Sequence, residues 1–355
     1  MRLNIYRFKT HALALLAAAI PLHAAHAACS EVRLDQADGS MARIPVLHQD
    51  GTETCYAYAA AQMADALRHR KTREFAARGE ISPAILEQQL RHITSPLVAA
   101  VNSAYSSGAE SVNQGLLADS LKSIFAEGSC SHERIGDEFG AYDSKGFLAQ
   151  LKGYFDGMRA RRPGTPIARP PSPLDCCTDS RDPGAPLSRR NLEKYLAANT
   201  FVGFLKQSFD AACKNRWITV PSGTTNTFYG VRERSPSARM RRFSEALYSI
   251  RKPSDMPVGI NFCADVLFDR TKVGVDSTGQ AMTSSPSPLT PPACVSHHSA
   301  LVVGRRPGPG GTCQFLIRNS FGDSNNGYDW EARRGQVWVD EAALVPNLTG
   351  TVVLE

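Results

Sequence analysis

The stretch Gln49-Asp-Gly-Thr-Glu-Thr-Cys55-Tyr-Ala-Tyr-Ala59 decides the fold of this chain, because it places a cysteine where a helix is expected to begin. Thr54 is a favoured residue for the position before a helix. Apolar residues then recur at helical spacing from Tyr56 to Leu67. The pattern predicts a helix that starts at Cys55 and continues towards Arg78. A thiol at this place lies beside unpaired backbone N–H groups, which favour its negatively charged form.

Helical patterns dominate the first two thirds of the chain, and short β-rich segments dominate the part after Met256. Further helices are predicted from Ser82-Pro83 to about 93, within 108–128, over 147–155, within 191–214 and over 239–250. Strands are predicted over 257–262, 300–303, 315–317, 336–339 and 350–354. The segment Pro307-Gly-Pro-Gly-Gly311 is predicted to close a hairpin between the second and third strands. Helices followed by strands indicate an α+β protein with two lobes.

Two late stretches carry the remaining reactive groups: His298-Ser-Ala-Leu-Val-Val-Gly304 and Leu316-Ile-Arg-Asn-Ser-Phe-Gly322. A cysteine and a histidine can serve as nucleophile and base, and an amide can orient the imidazole ring. A glutamine side chain can donate to a developing oxyanion. The candidate catalytic residues are therefore Gln49, Cys55, His298 and Asn319, in that chain order.

This order, with these neighbours, resembles the papain-like cysteine proteases over about residues 42–135 and 240–350. The resemblance implies a helical lobe that carries Cys55, a β lobe that carries His298 and Asn319, and an active-site cleft between them. It also implies that Gln49 and the Cys55 N–H bind the oxyanion. Phe321 would shield the bond between His298 and Asn319 from water.

His297 lies beside His298, so the choice of base needs a reason. The resemblance places the glycine that ends the segment six positions after the catalytic histidine, which fits His298 and Gly304. Neighbouring side chains on a strand also point to opposite faces. His297 is therefore expected at the cleft rim or on the outer face. Departures from the family pattern include Asp50–Thr54 before the nucleophile and Gly108-Ala109 at the expected substrate edge.

The N-terminus has the features of a secretory signal peptide over residues 1–27: a basic start, an apolar run and Ala25-His26-Ala27. Alternatives are an N-terminal membrane anchor and lipid attachment at Cys29. The apolar run is too short for a stable membrane span. Cleavage would remove three basic residues and no acidic one, which lowers the formal net charge from +6 to +3. The chain is thus expected to be exported, to a periplasm or beyond the cell.

The chain contains nine cysteines. With Cys55 free, the other eight suffice for up to four disulfides of unreadable connectivity. No Cys-x-x-Cys or His-x-x-x-His spacing occurs, so neither a metal nor another cofactor is predicted. No basic tract with interleaved aromatic residues is present, so nucleic acid is not an expected partner. The expected partner is a protein or peptide substrate.

Residues 28–355 are predicted to form one papain-like domain with three parts. These are a helical lobe over about 50–135, an insertion over about 136–239 and a β lobe over about 256–355. The insertion contains a Pro- and Cys-rich loop over 162–189, which holds seven of the chain's 22 prolines. It could bind a partner or an inhibitor, shield the cleft, or decorate the surface.

Three functions fit these residues. The first is a peptidase that cleaves peptide bonds through a thioester acyl-enzyme. The second is an amidase or a transpeptidase that acts on cell-wall peptides with the same residues. The third is a non-catalytic binding module on a protease scaffold. The intact set of four candidate residues favours an enzyme, and the Asn-Ser-Phe-Gly segment favours the peptidase.

Overall fold

The structure is a computed structural model that describes residues 29–133, 144–160, 189–214, 217–230, 233, 235–270, 294, 296–322 and 327–355. The predicted signal peptide and nearly all of the Pro- and Cys-rich loop lie outside these residues. No helix in the described ranges is long and apolar enough to cross a membrane.

Helices occupy most of the first half of the described chain. Their bounds are α1 Cys55–Ala77, α2 Pro83–Arg91, α3 Pro96–Ser107, α4 Leu117–Glu127, α5 Ser144–Arg159, α6 Arg189–Tyr195, α7 Phe201–Cys213, α8 Pro236–Leu247, α9 Asp265–Phe268 and α10 Glu341–Asn347. The predicted start at Cys55 is confirmed. The predicted start at Pro83 is also confirmed, and the Ser82 hydroxyl accepts from the Ile85 N–H there. Helices α3, α9 and α10 were not predicted.

The strands form one antiparallel sheet and one short pair. Their bounds are β1 Val32–Arg33, β2 Ser129–Cys130, β3 Trp217–Ile218, β4 Thr225–Tyr229, β5 Val258–Cys263, β6 His297–Pro307, β7 Cys313–Arg318, β8 Ala332–Arg333, β9 Gln336–Asp340 and β10 Leu348–Leu354. The main sheet has the order β4-β10-β5-β6-β7-β9-β8, with β1 added to β6. The expected hairpin between β6 and β7 is confirmed. Helices before strands confirm the α+β class.

Helix α1 lies at the centre of the molecule and contacts α3, α4 and strand β6. Small side chains make this position possible, because the Ala57–Ala66 segment contains six alanines that are buried almost completely. Neighbouring elements can then approach the helix backbone closely. Where β5 meets α1, Gly259 leaves room for Met63 and Leu117, whose side-chain atoms would lie 2.9 Å from a Cβ at that position.

Part of the predicted insertion is built into the two lobes. Helix α7 packs against α3, and the disulfide Cys130–Cys213 joins the end of α7 to β2. Strand β4 pairs with β10 at the edge of the main sheet. The predicted helical stretch over 191–214 is two helices, because Thr200 caps a new helix at Phe201. These described segments therefore contribute to the fold itself.

Three disulfides join described cysteines: Cys29–Cys313, Cys130–Cys213 and Cys263–Cys294. Among the described cysteines Cys55 has a free thiol, as its proposed role as nucleophile requires. The bond between Cys29 and Cys313 leaves no thiol for lipid attachment at Cys29, so that alternative is wrong. Cys176 and Cys177 lie outside the described residues.

Candidate active site

A tight turn positions Cys55 at the first residue of α1. Asp50 and Gly51 both adopt left-handed backbone conformations, with φ of 50° and 69°. The Thr52 hydroxyl donates to the Gln49 carbonyl at 2.6 Å, and its N–H donates to the same oxygen at 2.9 Å. Thr54 precedes the helix as predicted, but its side chain does not cap α1; it lies 2.6 Å from the Thr52 hydroxyl instead. The first N–H groups of α1 therefore remain directed at the cysteine.

Gln49 links the two lobes at the site. Its side-chain Nε2 donates to the Thr52 carbonyl at 2.6 Å, and its Oε1 accepts from the Ser320 hydroxyl. Its backbone N–H also donates to the Ser320 carbonyl at 2.8 Å. Because Nε2 carries two hydrogens, one remains for a ligand in the cleft. Gln49 therefore joins the turn before α1 to the segment after β7, next to the antiparallel bridge between His48 and Phe321.

His298 and Asn319 form the hydrogen bond that the sequence predicted. His298 lies near the start of β6, and Asn319 immediately follows β7. The imidazole Nε2 is 2.6 Å from the Asn319 Oδ1, an arrangement that fixes the tautomer and the ring orientation. The ring centroid of Phe321 is 5.0 Å from that of His298, so Phe321 packs beside the imidazole as expected.

Asn319 is itself held from three sides. Its Nδ2 donates to the Tyr328 hydroxyl at 3.0 Å, and its Oδ1 accepts from the Ser320 N–H at 2.7 Å. Its backbone N–H donates to the Gly335 carbonyl at 3.2 Å. The side chain is completely buried. The amide therefore offers the imidazole one rigid acceptor. Sequence reasoning missed Tyr328, because no local pattern pairs it with Asn319 nine positions earlier.

A cavity of about 860 Å³ opens at the junction of the lobes and brings the candidate residues to one wall. Gln49, Cys55 and His298 all line it. His297 also borders the cavity but is exposed, as expected for a residue at its rim. Asn319 lies behind His298 in the interior.

The residues that form another wall of the cavity correct one prediction. Gly108 ends α3 in a left-handed conformation, and neither it nor Ala109 lines the cavity. That wall is formed by residues 113–116. At its centre, a Cβ on Gly115 would lie 2.4 Å from ring atoms of Tyr56, so this position requires glycine for the close approach to α1. The prediction that Gly108-Ala109 borders the cleft is therefore wrong.

Three residues that line the cavity, Tyr229, Asn261 and Ser299, belong to one row that crosses four neighbouring strands. Tyr229 on β4 faces Gly350 on β10, Gly350 faces Asn261 on β5, and Asn261 faces Ser299 on β6. Residues paired in this way present their side chains on the same face of the sheet. The Ser299 hydroxyl donates to the Asn261 Oδ1 at 2.7 Å. Sequence analysis identified neither residue.

The pKa of Cys55 is shifted in the direction opposite to the one that the sequence predicted. Burial raises the pKa of the Cys55 thiol, although hydrogen bonds from Ser299 and from the first N–H groups of α1 oppose the increase. Burial also lowers the pKa of His298 to about 4, while the bond to Asn319 opposes that change. The sequence predicted a lowered pKa for Cys55. Loss of hydration thus disfavours the charged form of each group, whereas the N-terminus of α1 and the bond to Asn319 favour it.

The sequence matches no protein-family model, and no curated protein matches it. Solved structures that the fold matches include xylellain, a cysteine protease from Xylella fastidiosa, at 16% identity and a TM-score of 0.44, covering 92% of this chain and 85% of that one. The bromelain protease of Ananas comosus, in complex with the E64 inhibitor, matches at 13% identity and a TM-score of 0.40, covering 92% and 98%. Procathepsin L 3 of the Tenebrio molitor larval midgut matches at 11% and 0.41, covering 92% and 70%.

The chain is thus similar to papain-like cysteine proteases in its sequence motifs and in the solved structures it matches. At these identities and TM-scores, we base the functional assignment on the chain's own residues. The described residues define an α+β protein with a free cysteine at a helix N-terminus and a histidine–asparagine pair on a sheet, both at one cavity. This combination can supply the nucleophile, the base and the orienting amide for thiol-dependent hydrolysis.

Proposed function

We propose that this protein is an exported papain-like cysteine peptidase, in which Cys55 is the nucleophile and His298 is the general base. The observation that carries the proposal is the 2.6 Å contact between His298 Nε2 and Asn319 Oδ1. That contact occupies one ring nitrogen and leaves the other to exchange a proton at the cavity that Cys55 lines. A histidine with a purely structural role would not need a rigid acceptor on one side and a cavity on the other.

The proposed reaction begins with transfer of the Cys55 proton to His298 as the thiolate attacks the peptide carbonyl. The resulting oxyanion accepts hydrogen bonds from the Cys55 N–H and from the second hydrogen of Gln49 Nε2. Collapse of this intermediate breaks the C–N bond, and the imidazolium returns its proton to the departing amine. Water, deprotonated by His298, then cleaves the thioester and regenerates the thiol.

The directions of the two pKa shifts fit this reaction sequence. A thiol and an imidazole that exchange one proton within a buried site keep the net charge of that site constant. Binding of a substrate to the cavity would exclude more water, which strengthens the attraction between the charged forms. We therefore place formation of the ion pair in the substrate complex rather than in the free enzyme.

Export is part of the proposal. Its support is the three disulfides among described cysteines, because disulfides persist mainly in oxidising compartments. The signal-like composition of residues 1–27 points the same way. Amino-terminal sequencing of the protein recovered from outside the cytoplasm should show a start near Ala28. Recovery of the full-length chain from the cytoplasm would contradict export.

The test of the catalytic proposal is mass spectrometry of the purified protein after treatment with a thiol-directed epoxide inhibitor. We expect one adduct, on Cys55, that is absent in Cys55→Ala and nearly absent in His298→Ala. His297→Ala is the matched control and should label like the native protein. Failure of folded native protein to label would contradict the proposal and favour a binding module.

Labelling alone does not distinguish a peptidase from a cell-wall amidase or a transpeptidase. Incubation with a mixture of unstructured peptides, followed by identification of new termini, addresses the substrate. Pairs of fragments, one with a new carboxyl terminus and the other with a new free amino terminus, indicate hydrolysis. Joined peptides would indicate transpeptidation. Cleavage confined to muropeptides would indicate the amidase.

A further inference from the structure

Ser299 is a buried hydroxyl beside the candidate nucleophile that the proposed mechanism has not used. It follows His298 on β6 and is only 6% exposed. Helix α1, which begins at Cys55, packs against this strand. Ser299 and Cys55 both line the cavity. The Ser299 backbone N–H and hydroxyl both favour the charged form of Cys55, since they lower the pKa of its thiol against the rise that burial causes.

The same hydroxyl has a second acceptor. In the structure it donates to the Asn261 Oδ1 at 2.7 Å across the β5–β6 pair. A serine hydroxyl has one hydrogen and can donate only one strong hydrogen bond at a time. Ser299 therefore stands between two acceptors, an amide oxygen and a sulfur, and the stronger acceptor at any moment receives the hydrogen.

We propose that the Ser299 hydroxyl moves its hydrogen bond from Asn261 to the Cys55 sulfur when the thiolate forms, and so stabilises the thiolate for attack. The proposal rests on the assignment of Cys55 as the nucleophile. Ser299 acts on the reacting sulfur itself, and Asn261 is a positioning residue that acts through Ser299. No covalent bond changes at Ser299, which keeps its proton throughout.

Charge determines the direction of the exchange. An anionic sulfur attracts a hydroxyl hydrogen more strongly than a neutral amide oxygen does, because charge-assisted hydrogen bonds are the stronger kind. When the sulfur enters a thioester it loses that charge, and the hydroxyl returns to Asn261. The donation is thus strongest in the charged state that burial disfavours, so it accelerates attack rather than merely strengthening the resting structure.

Other titratable groups share the cavity and would influence the same thiol. They are Glu53 before α1, Tyr56 on α1, Tyr229 on β4, and His297 and His298 on β6. A substitution that leaves all of these unchanged isolates the hydroxyl. Ser299→Ala meets this condition, since it removes one oxygen from the side chain and no charge.

The experiment measures the rate of Cys55 alkylation by iodoacetamide between pH 5 and pH 10, on the full chain, with Cys55→Ala giving the background from other thiols. Ser299→Ala should raise the apparent pKa of Cys55 by about one unit and slow alkylation at pH 7 about tenfold, the size expected for one hydrogen bond to a charged group. Ser299→Thr, which retains a hydroxyl, should restore most of the rate.

Asn261→Leu should shift the apparent pKa of Cys55 in the opposite direction from Ser299→Ala. It removes the competing acceptor at similar volume, so the Ser299 hydroxyl becomes free to donate to the thiolate without losing another bond. The apparent pKa of Cys55 should then fall, by about half a unit. If the two substitutions merely loosened the site, they would shift the apparent pKa of Cys55 in the same direction. An unchanged pKa in Ser299→Ala, or a rise in both variants, would overturn the proposal.

Alkylation requires no peptide substrate, so this test can succeed or fail independently of peptidase activity. If native protein cleaves no peptide but the two variants still shift the pKa of Cys55 in opposite directions, the hydroxyl exchange holds and the proposed function fails. If the native protein cleaves peptides and neither variant shifts the pKa, the proposed function holds and the exchange is wrong.

Discussion

The two halves of the site are positioned by different means. In the sheet half, His298 and Asn319 owe their places to strand register and to bonds with Tyr328, Ser320 and Gly335, which come from separate parts of the chain. In the helix half, Cys55 and Gln49 are placed by one tight turn within seven residues. The sheet half thus depends on tertiary structure, whereas the helix half depends largely on local structure.

This difference in positioning determines which substitutions each half of the site can tolerate. A local turn transmits a substitution to the next few residues and little further. A side chain fixed by several strands cannot shift without disturbing the bonds that hold those strands in register. Gln49 is the exception, because its Oε1 and its backbone N–H reach across to Ser320. It is therefore one place where a displacement in one half can reach the other.

The largest loss of activity should come from a substitution in the sheet half of the site. His298→Ala should lower kcat/KM for peptide hydrolysis by at least about 10⁴-fold, because the base and its orientation are lost together. His297→Ala, one residue away but exposed, should lower it less than about threefold. Steady-state kinetics on one fluorogenic peptide gives both values. Similar losses in the two variants would mean that the base has been assigned to the wrong histidine.

The next effect tests the connection between the halves. Gln49→Ala should lower kcat by about 10²–10³-fold, the usual result of removing one oxyanion donor. Ser320→Ala keeps that donor and removes the bond that steadies Gln49 from the sheet half, so we expect a loss of only several-fold. Equal losses in both variants would indicate that Gln49 acts by joining the lobes rather than by binding the oxyanion.

The smallest effect concerns stability in acid and compares one buried histidine from each half. Burial lowers the pKa of His298 to about 4 and, with help from the Arg68 charge, lowers that of His69 on α1 to about 3. Both values lie below the unfolded value of about 6.5, so the unfolded chain takes up protons first as the pH falls. Each histidine should therefore cost roughly 3 kcal/mol of folding free energy between pH 6.5 and pH 4.

Denaturant unfolding at fixed pH values separates the two contributions. His298→Gln and His69→Gln should each flatten the fall in unfolding free energy between pH 6.5 and pH 4. Below pH 4 only His69→Gln should still flatten it, because His298 is already protonated in the folded state there. A pH profile that neither variant changes would show that both histidines are hydrated in solution.

Local signals accounted for what the sequence could predict. The start of α1 at Cys55 followed from Thr54 and the helical spacing behind it, and the His298–Asn319 contact followed from a resemblance that supplied the tertiary pairing. Helix α3 carries the same start signal as α2, since Ser95 precedes Pro96 and accepts from the Val98 N–H. That signal was readable and was overlooked.

Other features depend on contacts that no local pattern encodes. Strand β4 is an edge strand held by pairing with β10, and its five residues lack a strong alternating pattern. The cavity wall at residues 113–116 is set by the approach of Gly115 to Tyr56. The raised pKa of Cys55 follows from burial, which spacing alone does not reveal. Ser299 and Asn261 become neighbours only through strand register.

The disulfide between Cys29 and Cys313 has a mechanical consequence. Cys313 faces Pro307 at the far end of β6, nine residues from His298 along that strand, a span of about 30 Å. Tension applied at the N-terminus is therefore shared between the backbone that leads into β1 and a covalent bond to the β6–β7 hairpin, remote from the cleft. The strand bears that load along its length, supported by its hydrogen bonds to β5 and β7. Immobilisation through the N-terminal segment should accordingly leave the cleft open and its residues unstrained.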